Sequence, residues 1–321
     1  MTAVLLDREG QEHTGVDRPA VESRLSAGEF FWFDLHEPDE AEFALLRDVF
    51  AFHPLALQAA QHFGKRPKAE DFDEFVFLVL YGAQTSERHD TLVEVHCFYS
   101  EHFLVTVRRA GCDPIEELRS RYTRRPAHLE RPLALLYRLF SGLSESFFPA
   151  LDGYDRHIEA VEEAIFRGPS ETQLQEIVAM RRRLARLRRV AGPQRDVAAQ
   201  LFGGISVLPD SDEEAERYFR NVYDHLVRVT ELIDGYRELL TGAMDVYLSS
   251  VSDRLNRVTT RLTIVATIAL PLIVISGFFG QNFGWLVDRI AGWPEFLGLA
   301  IVLPVVFIAL LIVYLRRNKV V

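Results

Sequence analysis

Gly280-Gln281-Asn282 joins a flexible glycine to two neutral amide side chains. Amide and carbonyl oxygens accept hydrogen bonds from the water shell of a divalent cation, and they hold it less tightly than a ring of carboxylates does. Mg²⁺ dehydrates reluctantly, so neutral oxygens suit a hydrated ion that must both enter and leave. Other chemistry is poorly represented. There is no Gly-x-Ser-x-Gly, no His-Glu-x-x-His and no glycine-rich phosphate loop. His53, His62, His89, His96 and His102 show no zinc-ligand spacing with Cys or Glu. The residues argue against an enzyme and call for no cofactor.

The element that must position the triplet is the run before it. Between Arg261 and Asn282 lie 20 uncharged residues, about 30 Å of helix, which matches a hydrocarbon core of about 30 Å. A second uncharged run spans Phe296–Leu315. Arg254, Arg257 and Arg261 precede the first run, and Arg316, Arg317 and Lys319 follow the second. The short connection carries only Asp288, Arg289 and Glu295. The positive-inside rule therefore predicts a hairpin with both termini in the cytoplasm. The first span and its approach hold Thr259, Thr260, Thr263, Thr267 and Ser276. Each hydroxyl can simply bond a carbonyl one turn back, and the small residues Ala266, Gly277 and Gly280 can simply permit close helix packing.

Upstream, apolar residues from Phe219 through Val222, Leu226, Val229, Ile233, Tyr236, Leu240, Ala243, Tyr247, Val251, Leu255 and Val258 to Leu262 step by three or four. No proline interrupts between Pro209 and Pro271. The pattern predicts one stalk helix of about 90 Å that packs on copies of itself or on preceding helices. Helices are expected over 114–122, about 130–166, with a kink at Pro149, and about 170–203. The last is dense in arginine at 181, 182, 183, 186, 188 and 189, and reads as a solvated or salt-bridged face. Residues 1–110 read as α/β. Strands are expected at Ala3–Leu6, Phe30–Leu35, Phe75–Tyr81, Leu92–Tyr99 and Phe103–Val107, with helices from Pro38 to Phe50 and from Pro54. The net charge of −10 argues against a nucleic-acid partner, which wants a basic surface. Cys97 and Cys112 are too few for a disulfide framework and fit a reducing compartment. The opening residues do not read as a secretory signal.

Two spans cannot enclose water, so an ion path needs several copies around one axis. The residues alone leave two readings, a homo-oligomeric pore or a membrane-anchored sensor or scaffold. At this point the triplet resembles the Gly-Met-Asn signature of the CorA family of magnesium transporters, including its zinc-transporting ZntB relatives. The likeness extends through YFRNVYDH (218–225), DVYLSSVSDRLN (245–256) and LTIVATIALPL (262–272), and the order of elements agrees along the whole chain. It implies a homopentameric funnel in the bacterial inner membrane that carries Mg²⁺, or Zn²⁺ in the ZntB branch.

The resemblance also implies roles. Asn282 would hold the hydrated cation, with Gly280 beside it. Asn256, Thr259, Leu262, Ala266, Leu270, Ile273 and Gly277 would line the pore. Leu262 and Leu270 would form an apolar constriction, or else plain helix packing, and Asp245 would draw cations into the funnel. By their charge alone, Glu159, Glu162 and Glu163 would help hold cations near the exit or pair with the arginines of 181–189. Three positions depart from the family. Gln281 replaces methionine, Thr259 is small and polar, and Asn221 stands where magnesium members carry an aspartate of a regulatory metal site. The expected divisions are 1–125 (α/β), 126–208 (helical hairpin), 209–261 (stalk), 262–281 (first span), 282–295 (external loop), 296–315 (second span) and 316–321 (basic tail).

Overall fold

The computed structural model describes residues 2–15, 17–85, 90–124, 132–203, 208, 213–280, 284 and 292–317. They fall into two units. The first comprises residues 1–163 and 171–244, and the second residues 164–170 and 245–321.

The first unit is built on a seven-stranded mixed sheet. Its strands are β1 (Thr2–Leu6), β2 (Glu12–Thr14), β3 (Phe31–His36), β4 (Lys68–Asp71), β5 (Val76–Thr85), β6 (Asp90–Tyr99) and β7 (Phe103–Arg108). The order is β2-β1-β3-β7-β6-β5-β4. Only β3 and β7 run parallel, with Phe31 opposite Phe103 and His36 opposite Arg108. The five expected strands are present. The three-residue β2 and the charged β4, Lys-Ala-Glu-Asp, carry no apolar alternation that would announce them.

Both sheet faces are buried, as period-two alternation allows. Val76, Leu78 and Leu80 turn to a core shared with Ile115, Leu139, Phe140, Val197 and Phe219. Phe77 and Phe98 turn the other way, and Phe98 stacks on Phe52 with ring centroids 4.2 Å apart. Around the sheet lie α1 (Arg18–Ala27), α2 (Glu40–Asp48), α3 (Pro54–Gln61), α4 (Asp113–Arg124), α5 (Pro132–Glu145), α6 (Phe147–Leu151), α7 (Tyr154–Arg167) and α8 (Glu171–Phe202). The α2 helix does not open at Pro38. It starts at Glu40, behind a capping box in which Asp39 and Glu42 satisfy each other's backbone N–H. The single helix expected over about 130–166 is three helices. It breaks around Ser146 and again at Gly153, whose φ of 80° is left-handed.

Buried polar groups tie this unit together. Asp34 on β3 accepts from Arg108 Nη2 at 3.0 Å and from Thr106 Oγ1 at 2.7 Å. Glu94 on β6 accepts from the Gly64 backbone N–H, from Lys65 N–H at 3.0 Å, from the Tyr81 hydroxyl at 2.8 Å and from His96 Nε2 at 2.7 Å. Burial pushes the Glu94 pKa up, but these hydrogen bonds, His96 foremost, outweigh it and hold the carboxyl below its ordinary range. β4 pairs with β5 only as far as Val79. Beyond it, Gln194 of α8 takes the place of a strand, accepting from Tyr81 N–H at 2.6 Å and donating to Tyr81 O at 2.9 Å.

The stalk is α9, Glu213–Phe279, 67 residues and about 100 Å long. Phe219, Val222, Leu226, Val229, Ile233, Leu240 and Ala243 are buried. Val251, Leu255, Val258 and Leu262 continue the same steps but are exposed. The chain therefore fully buries residues of its own stalk only as far as Ala243. In the second unit, α10 (Trp293–Phe296) passes through a π-helical Leu297–Val302 into α11 (Leu303–Arg317).

Candidate ion pathway

Among the described residues, two helices are long and apolar enough to cross a membrane, one ending at Phe278 and one over Trp293–Tyr314. Within the span of α9, Ile264, Thr267, Ile268, Pro271, Leu272 and Ile275 are half-buried, joined by Ala269. The first six recur by three and four and mark the side turned toward the rest of the chain. The seven stripe positions, Asn256, Thr259, Leu262, Ala266, Leu270, Ile273 and Gly277, are all exposed. At 100° per residue six of them fall on the opposite side of the helix, and Asn256 lies about a quarter turn from the half-buried side. Leu262 is 66% and Leu270 60% exposed, whereas leucines of the first unit's core approach zero.

The threonines divide by role. Thr263 Oγ1 donates to Thr259 O at 2.9 Å and Thr267 Oγ1 to Thr263 O at 2.7 Å. Both hydroxyls are thereby satisfied within the helix, as an apolar surrounding demands. Thr259 remains on the exposed stripe and its carbonyl is engaged by Thr263.

α9 ends where the triplet begins. Gly280 N–H bonds Ser276 O at 2.9 Å. A Cβ on Gly280 would stand 3.2 Å from that same oxygen, so glycine lets the chain close the last turn without crowding the carbonyl. Gln281 and Asn282 lie outside the described residues.

Acidic groups accompany the stalk. Asp245 is exposed. In the first unit, Glu162 of α7 shares a groove of about 710 Å³ with Glu231 and Glu238 of α9, beside Arg228. Positions 231, 238 and 245 are acidic at heptad spacing, a regularity that a periodicity search on carboxylates would find. Burial, and then the charges of Asp155 and Asp152, raise the Tyr236 phenol pKa, in keeping with a negative potential along this face. Of the α8 arginines, Arg188 pairs with Asp234 at 3.1 Å. Arg181, Arg182, Arg183, Arg186 and Arg189 are exposed. Asn221 is exposed and accepts from the Tyr137 hydroxyl at 3.4 Å. Among the described residues no three His, Cys, Asp or Glu side chains converge to hold a metal.

The model of the CorA-like Mg²⁺ transporter family matches residues 27–317. The chain belongs to the CorA family. It resembles the cobalt/magnesium transport protein CorA of Thermotoga maritima, with 32% identity over 280 residues, covering 85% of this chain and 78% of that one. The zinc transport protein ZntB of Photorhabdus laumondii subsp. laumondii is 33% identical over 145 residues, 44% of this chain and 42% of that one. The complete structure of the CorA magnesium transporter from Methanocaldococcus jannaschii superposes with a TM-score of 0.83 over 99% of this chain and 98% of that one. Its identity is 21%, so it speaks to the fold, which is an α/β domain, a long helix and two apolar C-terminal helices. As a CorA-family member the chain is a divalent cation transporter and not an enzyme.

Proposed function

We propose that this CorA-family chain forms a homopentameric channel carrying Mg²⁺ across the bacterial inner membrane, with the stalk and both termini in the cytoplasm. The observation that carries the reading is the two-sided span of α9. One side faces its own chain, and the opposite side offers Thr259, Leu262, Ala266, Leu270, Ile273 and Gly277 to an axis shared by copies, with Asn256 exposed on the flank between the two sides. Asn282 holds the hydrated ion at the outer mouth beside the Gly280 carbonyl and Gln281. Leu262 and Leu270 form the constriction that closes by dewetting. Asp245 draws cations into the funnel. The arginines before the first span and after the second set the orientation.

The driving force is the membrane potential. A divalent ion moving inward gains about 4.6 kcal/mol per 100 mV, from about 2.3 per charge. No resident cofactor is needed. A second reading, zinc transport, is favoured by Gln281 in place of the family's methionine and by the 145-residue similarity to ZntB. Ion flux into liposomes containing the full chain separates them. Mg²⁺ entry driven by voltage alone supports the first reading. Zn²⁺ entry that requires a proton gradient supports the second. No flux of either ion from an assembled oligomer makes the hairpin an anchor.

A further inference from the structure

Phe166 is 75% exposed, more than any other large apolar side chain among the described residues. It does not lie on the apolar spans. It sits in the last turn of α7, one residue past Ile165, which is fully buried. The turn that follows, Arg167-Gly168-Pro169-Ser170, leads into α8. A lone phenylalanine on a water-facing surface is unremarkable. This one differs in where the tip is held.

Residues 164–170 belong to the same unit as the membrane hairpin. Within that unit, Arg254 Nη1 donates to Pro169 O at 3.4 Å. Arg254 precedes Leu262, the first residue of the uncharged run, by eight positions, about 12 Å of helix. The headgroup layer occupies about 5–8 Å on each side of the hydrocarbon core. The Arg254 backbone thus stands about 4–7 Å outside that layer, within a side chain's length of it, and its guanidinium holds the tip carbonyl. We propose that Phe166 inserts into the headgroup layer on the stalk side, so that the α7–α8 tip is a membrane contact.

The chemistry suits the place. Aromatic rings favour the interface between water and hydrocarbon. Arg254, Arg257 and Arg261 run down the helix from the level of the tip to the start of the span, where guanidinium groups attract anionic headgroups. The contact braces the hairpin against the bilayer surface beside the stalk. The inference rests on α9 and α11 spanning the membrane, and it is independent of which ion is carried.

Lipid-borne quenching tests it on the full chain in vesicles of phosphatidylcholine and phosphatidylglycerol. Three single substitutions carry a bimane label: Phe166→Cys at the tip, Glu159→Cys two turns earlier on α7, and Leu310→Cys on α11. The native Cys97 and Cys112 are buried and free. A nitroxide placed near the headgroup should quench the label at 166 at least twofold more than at 159, and a deep nitroxide should quench best at 310. Equal quenching at 166 and 159, with 166 open to iodide, overturns the proposal. So does a label at 166 hidden from both iodide and lipid, which would mean that another copy covers the tip. Absence of lipid quenching at 310 overturns it together with the spanning of α11. Because the label is itself apolar, hydrogen exchange on unlabelled protein in the same vesicles provides the second arm. Amides of 164–170 should exchange severalfold faster in Phe166→Ser than in the parent, and equal rates overturn the contact.

Discussion

The two units use the same apolar residues in opposite ways. Leu139 and Leu136 in the first unit are fully buried, while Leu262 and Leu270 on α9 are more than half exposed. The first unit satisfies itself. Its sheet is covered on both faces, its buried carboxylates have donors, and the open edge of β5 is closed by Gln194. The second unit leaves apolar side chains bare along α9 and α11, as a surface that lipid or a partner would cover does. Exposed leucines therefore differ in number between the two units. In the first they are scattered, as at Leu55 and Leu239, and in the second they form a continuous series along α9 and α11.

The sharpest way to break this contrast is at the outer mouth. Asn282→Ala should reduce cation flux in liposomes more than tenfold while the oligomer elutes unchanged; surviving flux would remove the triplet from the pathway. The first unit should respond in stability instead. Asp34→Ala leaves Arg108 buried without its carboxylate, a loss of about 3–5 kcal/mol, read as a lowered denaturation midpoint with no change in ion selectivity. Leu139→Ala should cost about 2–5 kcal/mol through its cavity. Leu270→Ala should leave the soluble unit's unfolding within about 0.5 kcal/mol of the parent and raise leak conductance. If the two leucine variants behaved alike in both assays, the contrast would fail.

Smaller effects sharpen it. Glu94→Gln should lose about 1–3 kcal/mol, because the Gly64 and Lys65 N–H groups keep only a neutral acceptor. The folded-state pKa of Glu94 is lowered. Its stabilisation is thus present above the unfolded carboxylate pKa and disappears as pH falls through the folded value. The parent and Glu94→Gln should converge in stability under acid, which a pH series of denaturant melts would reveal. The smallest expected effect concerns Asn221, a neutral side chain at the position that the family resemblance assigned to a regulatory aspartate. Millimolar Mg²⁺ should give little protection of the first unit against limited proteolysis, and strong protection would return a regulatory site to this region.

Much of this was readable in advance because membranes and helices impose simple periods. The length of the uncharged runs, the steps of three and four from Phe219 to Leu262 and the family-like triplet needed no coordinates. The strands of the sheet were legible where aromatic and β-branched residues cluster. The charged β4 and the short β2 were not, since their pairing comes from a neighbour rather than from their own pattern. Nor could the period over 130–166 reveal breaks at Ser146 and Gly153, because the apolar face continues across them.

The sequence by itself determined which two runs are long and apolar enough to cross a membrane and which neutral amides stand at the end of the first, because hydropathy and side-chain chemistry are local properties. Tertiary structure decided the rest. It buried Asp34 against Arg108, contributed 74 positions later in the chain, and closed the β5 edge with Gln194 from 113 positions away. It also ended the fully buried positions of the stalk at Ala243 and turned one side of α9 away from its own chain. The physical reason is that burial depends on which distant segment arrives to exclude water, and that cannot be read from the residue that becomes buried.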